Sequence, residues 1–417
     1  LLACHYEELD PYGFLVGILA FLLALLFGYY LLQKFNLNRK PICIAFIISA
    51  IGHFIGSWVL FEFAVRVGAD SCFYFDNAAT HTEAITGYQF AFRTLGYARK
   101  YFLGESFLGA FLISGAIALI ASTYLVITYK VLLDKISSYQ PFYHIDKKQI
   151  IFPIIILFCW PSYFFWSAGI VKDNFSFLGI AISLFTIVQG RFNFINITIG
   201  ATAFTLAFMV RPYLLVIFAV PAFIYIVMGS KIKIHYKLTL FSFLFVIFAI
   251  AFPLLSQYSS ATHFDSITSL GQYAIKQQNY MAIGSSIPIP TNNPHLIFFF
   301  IPYLVLGNLL FPLFIGARNL IGIVGSIENF YLLGWLIWFF KNYSTWKDLS
   351  SQLRIVKFLM LYFLFGITCL SMISTNLGLA MREKIMYVPA LLLCIFSTYA
   401  YRRHIVLTEQ YNKLKSS

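Results

Sequence analysis

The sequence predicts an all-α fold, a polytopic bundle of transmembrane helices forming a single integral-membrane domain over 1–417. Three observations carry this reading. The first is composition: 60% of the 417 residues are hydrophobic and 11% are charged, against about 25% charged in a soluble domain. Such a chain cannot cover itself with polar surface, so lipid is its solvent. The second is that the apolar residues gather into runs of about 20, the length a helix needs to cross the hydrocarbon core. The third is that these runs lack the two-residue alternation of a membrane β-barrel.

In order along the chain, the expected spans are 12–33, 42–64, 105–129, 150–169, 174–190, 193–210, 212–229, 238–256, 320–340, 355–375 and 385–401, about eleven in all. The opening stretch "LLACHYEELDPYGF" carries acids where a signal peptide has a basic region, and no cleavage pattern follows the apolar run. The first segment therefore reads as a span. The segment 295–316 is apolar but interrupted by Pro302, Gly307, Asn308 and Pro312. It reads as re-entrant or interfacial, which irregular backbone at membrane depth permits.

Charge sets the orientation. The expected inner loops are 34–41, 130–148, the turn near 191, 230–237, 341–354 with Lys357, and 402–417. They collect 19 of the 29 Lys and Arg residues, while 12 of the 16 acids fall on the other side. The positive-inside rule then places the N-terminus outside and the C-terminus inside. It also explains the net charge of +13 without a nucleic-acid partner, since the basic residues sit in short loops and form no basic tail. The two long outer loops are 65–104 and 257–295. The latter part of the first mixes apolar and polar residues, as helices lying on a membrane do.

With this orientation, the charged residues that interrupt or abut spans all reach the outer side, where one cavity lined by them accounts for the set. Asp70 and Asp76 follow the second span, and Asp70 is the leading candidate for a general base. Asp76, before "NAATHTEA", also suits a helix N-cap. Lys172 and Asp173 join the fourth and fifth spans. Asp173 suits the cap of the helix that follows, and Lys172 a phosphate. Arg211, before Pro212, marks a water boundary, and its planar fork of donors grips phosphate; snorkelling to the interface is the bland alternative. Arg382, Glu383 and Lys384 form a loop cluster between the last two spans, suited to a pyrophosphate or an anionic sugar. Arg318, a further candidate for a phosphate, precedes Glu328, which lies inside an apolar helix and is expected to face the interior and pair with an arginine.

No HExxH-type metal spacing, P-loop or dinucleotide fingerprint occurs, and His81, His263 and His295 are scattered. No metal ligand is assigned, although a carboxylate such as Asp70 has the chemistry to help hold a divalent metal on a phosphate. Of the six cysteines, Cys4 and Cys72 share the outer face, which leaves a disulfide open between them; the others fall mostly within spans.

Several short islands carry a family resemblance. A membrane exit followed by an acidic outer loop with "D-S-C-F-Y" resembles the first outer loop of GT-C-type membrane glycosyltransferases. The set "WPSYFFWSAGIVKDN", "RPYLL", "FPLFIGARN…SIEN" and "NLGLAMREKIMYVP" is similar to a group of bacterial membrane proteins of surface-polysaccharide and O-antigen assembly, some of them polymerases. The resemblance implies a GT-C-like bundle in the bacterial inner (cytoplasmic) membrane, with its active face outward. It implies transfer of a sugar from a polyprenyl phosphate or diphosphate carrier to a sugar or glycan acceptor. The base role of the first-loop acid falls on Asp70, with Asp76 in reserve, although the adjacent acidic pair of GT-C enzymes is absent. The arginine-dependent chemistry of O-antigen polymerases falls on Arg211 and Arg382. The runner-up is a transporter or flippase of lipid-linked sugar, which predicts paired broken helices and an inverted repeat. A noncatalytic assembly partner is the third reading.

Overall fold

The computed structural model describes residues 10–67, 70–82, 86–139, 147–170, 172–190, 193–229, 296–312, 320–373 and 377–416, with isolated residues at 272, 275, 287 and 293. The predicted span 238–256, most of the outer loop 257–295, Arg318 and Cys4 lie outside the described residues. The described chain is helical and divides into two compact units, Leu1–Arg211 with Ile395–Ser417, and Pro212–Cys394.

The first unit contains α1 (Pro11–Lys34), α2 (Lys40–Val67), the short α3 (Asp70–Asp76), α4 (Gly87–Ala98), α5 (Phe107–Tyr139), α6 (Lys147–Phe158), α7 (Pro161–Phe165), α8 (Lys172–Gln189) and α9 (Phe194–Val210). Its frame is α5, against which α1, α2 and α8 pack, with α9 on α8. Asp10 starts two helices at once. One carboxylate oxygen caps α1 by accepting from the Tyr12 amide at 3.0 Å, and the other accepts from the Glu105 amide at 3.2 Å, just ahead of α5. Pro11 at the first helical position suits this start.

Glycines four residues apart set the close crossings. At Gly17 an added Cβ would stand 3.0 Å from the Gly109 Cα, and at Gly13 it would overlap the Leu103 carbonyl. Small residues at this spacing let helix backbones approach in lipid. Gly52 and Gly56 do the same for α2 against Phe164 of α7. Gly13→Leu is therefore expected to drive α1 from α5 and lower the thermal unfolding midpoint in detergent by several degrees. Gly334→Ala, where a Cβ meets nothing within 4 Å, is expected to leave the midpoint unchanged or raise it. Equal midpoints for the two variants would refute the close-crossing argument.

The second unit contains α10 (Leu214–Gly229), α11 (Ile301–Leu310), α12 (Leu320–Lys341), α13 (Tyr343–Gln352), α14 (Ile355–Ile373) and the first part of α15 (Leu377–Ser416). Here α14 is central, contacted by α10, α11 and α13.

Among the described residues, four helices are long and apolar enough to cross a membrane: α1, α2, α5 and α12. The pair α6–α7, bent by 45°, makes a fifth if it counts as one span. Large side chains on α1 such as Leu19, Leu23 and Leu26 are at least half exposed, which is consistent with an integral membrane protein. The predicted spans 174–190, 193–210, 212–229 and 355–375 coincide with α8, α9, α10 and α14, of 18, 17, 16 and 19 residues.

Four expectations need correction. The span 150–169 is not one helix: Trp160 is extended and Pro161 starts α7, because proline disfavours helix in the residue before it and lacks an amide hydrogen. The inner loop expected from 130 is helix as far as Tyr139. The loop expected at 341–354 is largely α13. Finally, Arg382, Glu383 and Lys384 are not in a loop, because α15 begins at Leu377 and carries all three. The segment 296–312 forms a 3-10 turn, Leu296–Phe300, and the ten-residue α11. At 1.5 Å per residue α11 is about 15 Å long, half of what a span requires.

Candidate functional site

The predicted site residues fall into two groups, one within each unit. In the first unit the group forms where α2 ends. Helix α3 turns Cys72, Tyr74 and Phe75 into a cluster with Leu60 and Ala64 of α2, Ala91 and Leu95 of α4, and Phe107 and Phe111 of α5. Burying one side of so short a helix fixes the other, and Asp70, Phe73 and Asp76 face outward. Arg99 pins the end of α3. Its Nη1 donates to the Phe75 carbonyl at 2.7 Å, its guanidinium lies 4.4 Å over the Phe75 ring, and Nη2 pairs with Glu105. Asp76 is the last residue of α3 and starts no helix, so its expected N-cap role is overturned. At 100° and 1.5 Å per residue the two carboxylates lie about 9 Å apart along the axis and about 120° apart around it.

Lys172 opens α8, with its Nζ 4.7 Å from the Tyr74 ring. Tyr74 stands one helical turn after Asp70, so the ammonium is held by the same short helix that presents the acid. Such a cation–π contact is worth about 0.5–2 kcal/mol, depending on solvation. The next residue, Asp173, does not act as the expected cap. It lies inside the first turn of α8 and is buried, and its Oδ1 accepts from Arg211 Nη2 at 2.5 Å. Gly169 leaves room for this carboxylate, since a Cβ there would stand 2.8 Å from Asp173 Oδ2. Arg211 is itself buried, which replaces the snorkelling alternative with an internal ion pair.

The opposite end of the first unit is the basic one. Lys34, Arg39, Lys40, Lys147 and Lys148 cluster at the helix ends there. Gln149 Nε2 donates to the Ala400 carbonyl at 2.9 Å, bringing the last turns of α15 to that end. Within this unit the acids of α3 and the Asp173–Arg211 pair thus share one end, and Lys34, Arg39, Lys40, Lys147 and Lys148, all expected on the inner side, share the other. Cys72 is disulfide-bonded, while Cys43, Cys159, Cys369 and Cys394 are free thiols.

In the second unit, Glu328 and Asn329 of α12 and Glu383 and Lys384 of α15 are all buried. Lys384 Nζ donates to Asn329 Oδ1 at 2.5 Å, and Asn329 Nδ2 donates to the Pro312 carbonyl at 2.9 Å. Glu328 lies close enough to act electrostatically on Lys384. The Tyr213 hydroxyl donates to Glu383 Oε1 at 3.5 Å. Glu328 is buried, as expected, and the lysine near it is Lys384. Arg382 is half-buried beside this network.

Tyr74, Arg99, Asn329 and Tyr213 were not anticipated as members of the two groups. Three of them lie within the sequence islands quoted above, but as uncharged residues they carry no signal of their own. Among the described residues, no three His, Cys, Asp or Glu side chains are placed to hold a metal ion.

Fold and site together define a class: a helical protein with apolar helices able to cross a membrane, and with exposed acids and a buried ion pair at the helix ends. The chain matches no protein-family model, no curated protein and no solved structure.

Proposed function

We propose that the chain is a GT-C-like integral-membrane glycosyltransferase of about eleven spans, in the bacterial inner membrane with its active face outward. It would take a sugar from a polyprenyl-(di)phosphate carrier in surface-polysaccharide or glycoconjugate assembly, in the manner of a transferase or of a polysaccharide polymerase. The observation that carries this reading is the outward acid on α3 with a lysine ammonium seated on the same helix, at the end of the unit away from the basic loops. In the proposed step Asp70 accepts the proton of an acceptor hydroxyl, whose oxygen attacks the anomeric carbon. The bond from that carbon to the carrier's phosphate oxygen breaks, and Lys172 offsets the charge left there. Arg211, occupied by Asp173, holds the first turn of α8 and so positions Lys172. The disulfide at Cys72 supports an oxidising, outward setting for α3, in agreement with the charge asymmetry.

A specific observation favours the flippase as second reading: the α6–α7 pair is bent by 45°, a broken helix of the kind that lines transport sites. Single replacement of Asp70, Asp76, Lys172, Arg211 and Arg382, with polymer length on cells as the readout, tests the proposal. Shortened polymer with lipid-linked precursor accumulating at the outer leaflet is the expected result for every variant but that at Asp76, which serves as the control. Precursor trapped at the inner leaflet would transfer the reading to a flippase, and unchanged polymer in all five would end the enzyme reading.

A further inference from the structure

We propose that a cavity of the second unit, framed by α10, α13 and α14, binds the phosphate headgroup of an anionic membrane lipid. The cavity measures about 260 Å³. One stripe of α14 forms its floor: Arg354 just ahead of the helix, then Lys357, Leu361 and Leu364, at the three- and four-residue steps that share a helix face. Both cations are exposed, and Leu364 is 49% exposed. The walls are Tyr225 of α10 and Trp346 of α13. The Trp346 indole is fixed by donating Nε1–H to Cys394 Sγ at 3.1 Å.

The order of these residues fits a lipid rather than a soluble anion. Positive charge comes first, at the helix N-terminus, where the backbone dipole also favours an anion. An apolar track over Leu361 and Leu364 follows, which an acyl chain would cover and a free phosphate would leave bare. The cavity also lies at interfacial depth. Trp335 and Trp338 stand 5.7 Å apart, and Tyr343 and Trp346 5.3 Å apart, at the end of the unit where α12 gives way to α13; such aromatics gather at membrane–water boundaries.

Charge names the leaflet. Residues 341–357 hold Lys341, Lys347, Arg354 and Lys357 against the single acid Asp348, the bias of a cytoplasmic loop. That leaflet carries the anionic lipids, and basic pockets between helices there receive their headgroups. The site is separate from the buried Glu383 and Lys384 network, because Tyr213 of that network precedes the first residue of α10, Leu214, which lies about 16 Å along the helix from Tyr225. It stands independently of the proposed transfer reaction.

The test uses the full-length protein in detergent, exchanged against mixed micelles of phosphatidylglycerol and phosphatidylcholine, with retained lipid counted by native mass spectrometry. The wild type is expected to prefer phosphatidylglycerol by roughly thirtyfold, the effect of two cations at a charged leaflet. R354Q/K357Q is expected to lose that preference, whereas K341Q/K347Q keeps it. R354K/K357R, which conserves both charges, also keeps it and guards against misfolding as the cause of the loss. No preference in the wild type, or an undiminished one in R354Q/K357Q, would overturn the proposal. Displacement of the lipid by millimolar glycerol phosphate would overturn it in favour of a soluble anion.

Discussion

Replacing Arg211 with alanine is expected to destabilise the first unit by about 3–5 kcal/mol, the usual cost of stripping one member from a buried ion pair. The magnitude follows from burial. The Asp173 side chain is 1% exposed and that of Arg211 is 8% exposed, so neither can recover the lost interaction from solvent. The double replacement D173N/R211M should recover most of that loss, because a neutral pair of similar volume removes the uncompensated charge along with the partner. Thermal unfolding in detergent of R211M, D173N and D173N/R211M, each against the wild type, forms a double-mutant cycle. Additive effects in that cycle would mean that the 2.5 Å contact carries no coupling, and the pair would lose its role in holding the first turn of α8. By contrast, the exposed Arg66–Glu62 pair should change stability little when broken, as surface ion pairs do.

The difference between these two pairs also separates what the sequence could and could not reveal. Apolar runs set the positions of α1, α2, α8, α9 and α10 to within a few residues, because a helix in lipid must satisfy its own backbone and must therefore be continuously apolar. Hydrophobic content alone does not register a local backbone constraint, so the run 150–169 concealed the break at Pro161. The reverse error occurred at Arg382–Lys384. Three consecutive charges look like a loop, yet α15 runs through them because Lys384 finds Asn329 and Glu383 finds Tyr213. Those partners come from distant parts of the chain and leave no mark on the local pattern. The same holds for Asp173. A carboxylate just after an apolar run suits a cap by position, and only its juxtaposition with Arg211, 38 residues later, turns it into half of an ion pair. What was legible at the candidate site was the choice of charged residues. Their partners, and their division between two units, were not.

If the proposed sugar transfer is this chain's reaction, Asp70→Asn is expected to lower it by about 10²–10⁴-fold, the range over which a positioned general base acts, while leaving the fold intact. Both halves of this expectation come from the position of α3. The helix is anchored by Tyr74, Phe75 and the Arg99 contacts on its buried side, and Asp70 lies on the exposed side, so an isosteric amide there should not disturb the packing. An amide cannot accept the acceptor hydroxyl's proton, so the chemical step should suffer more than binding. In purified protein with a polyprenyl-linked sugar donor, kcat should fall with KM nearly unchanged. Asp76→Asn is the internal control. It removes the same charge from the same helix, about 120° away around the axis, and should keep most of the activity. Equal losses in the two variants would point to a general effect of negative charge on α3 and remove Asp70 from the base role. Full activity in Asp70→Asn would shift the chemistry away from α3 altogether. Lys172→Met distinguishes the leaving-group role from the base role. It should also lower kcat, but less steeply for a carrier whose phosphate leaves more readily, because a better leaving group needs less electrostatic help. A loss in Lys172→Met that is the same for good and poor leaving groups would confine Lys172 to its packing contact with Tyr74.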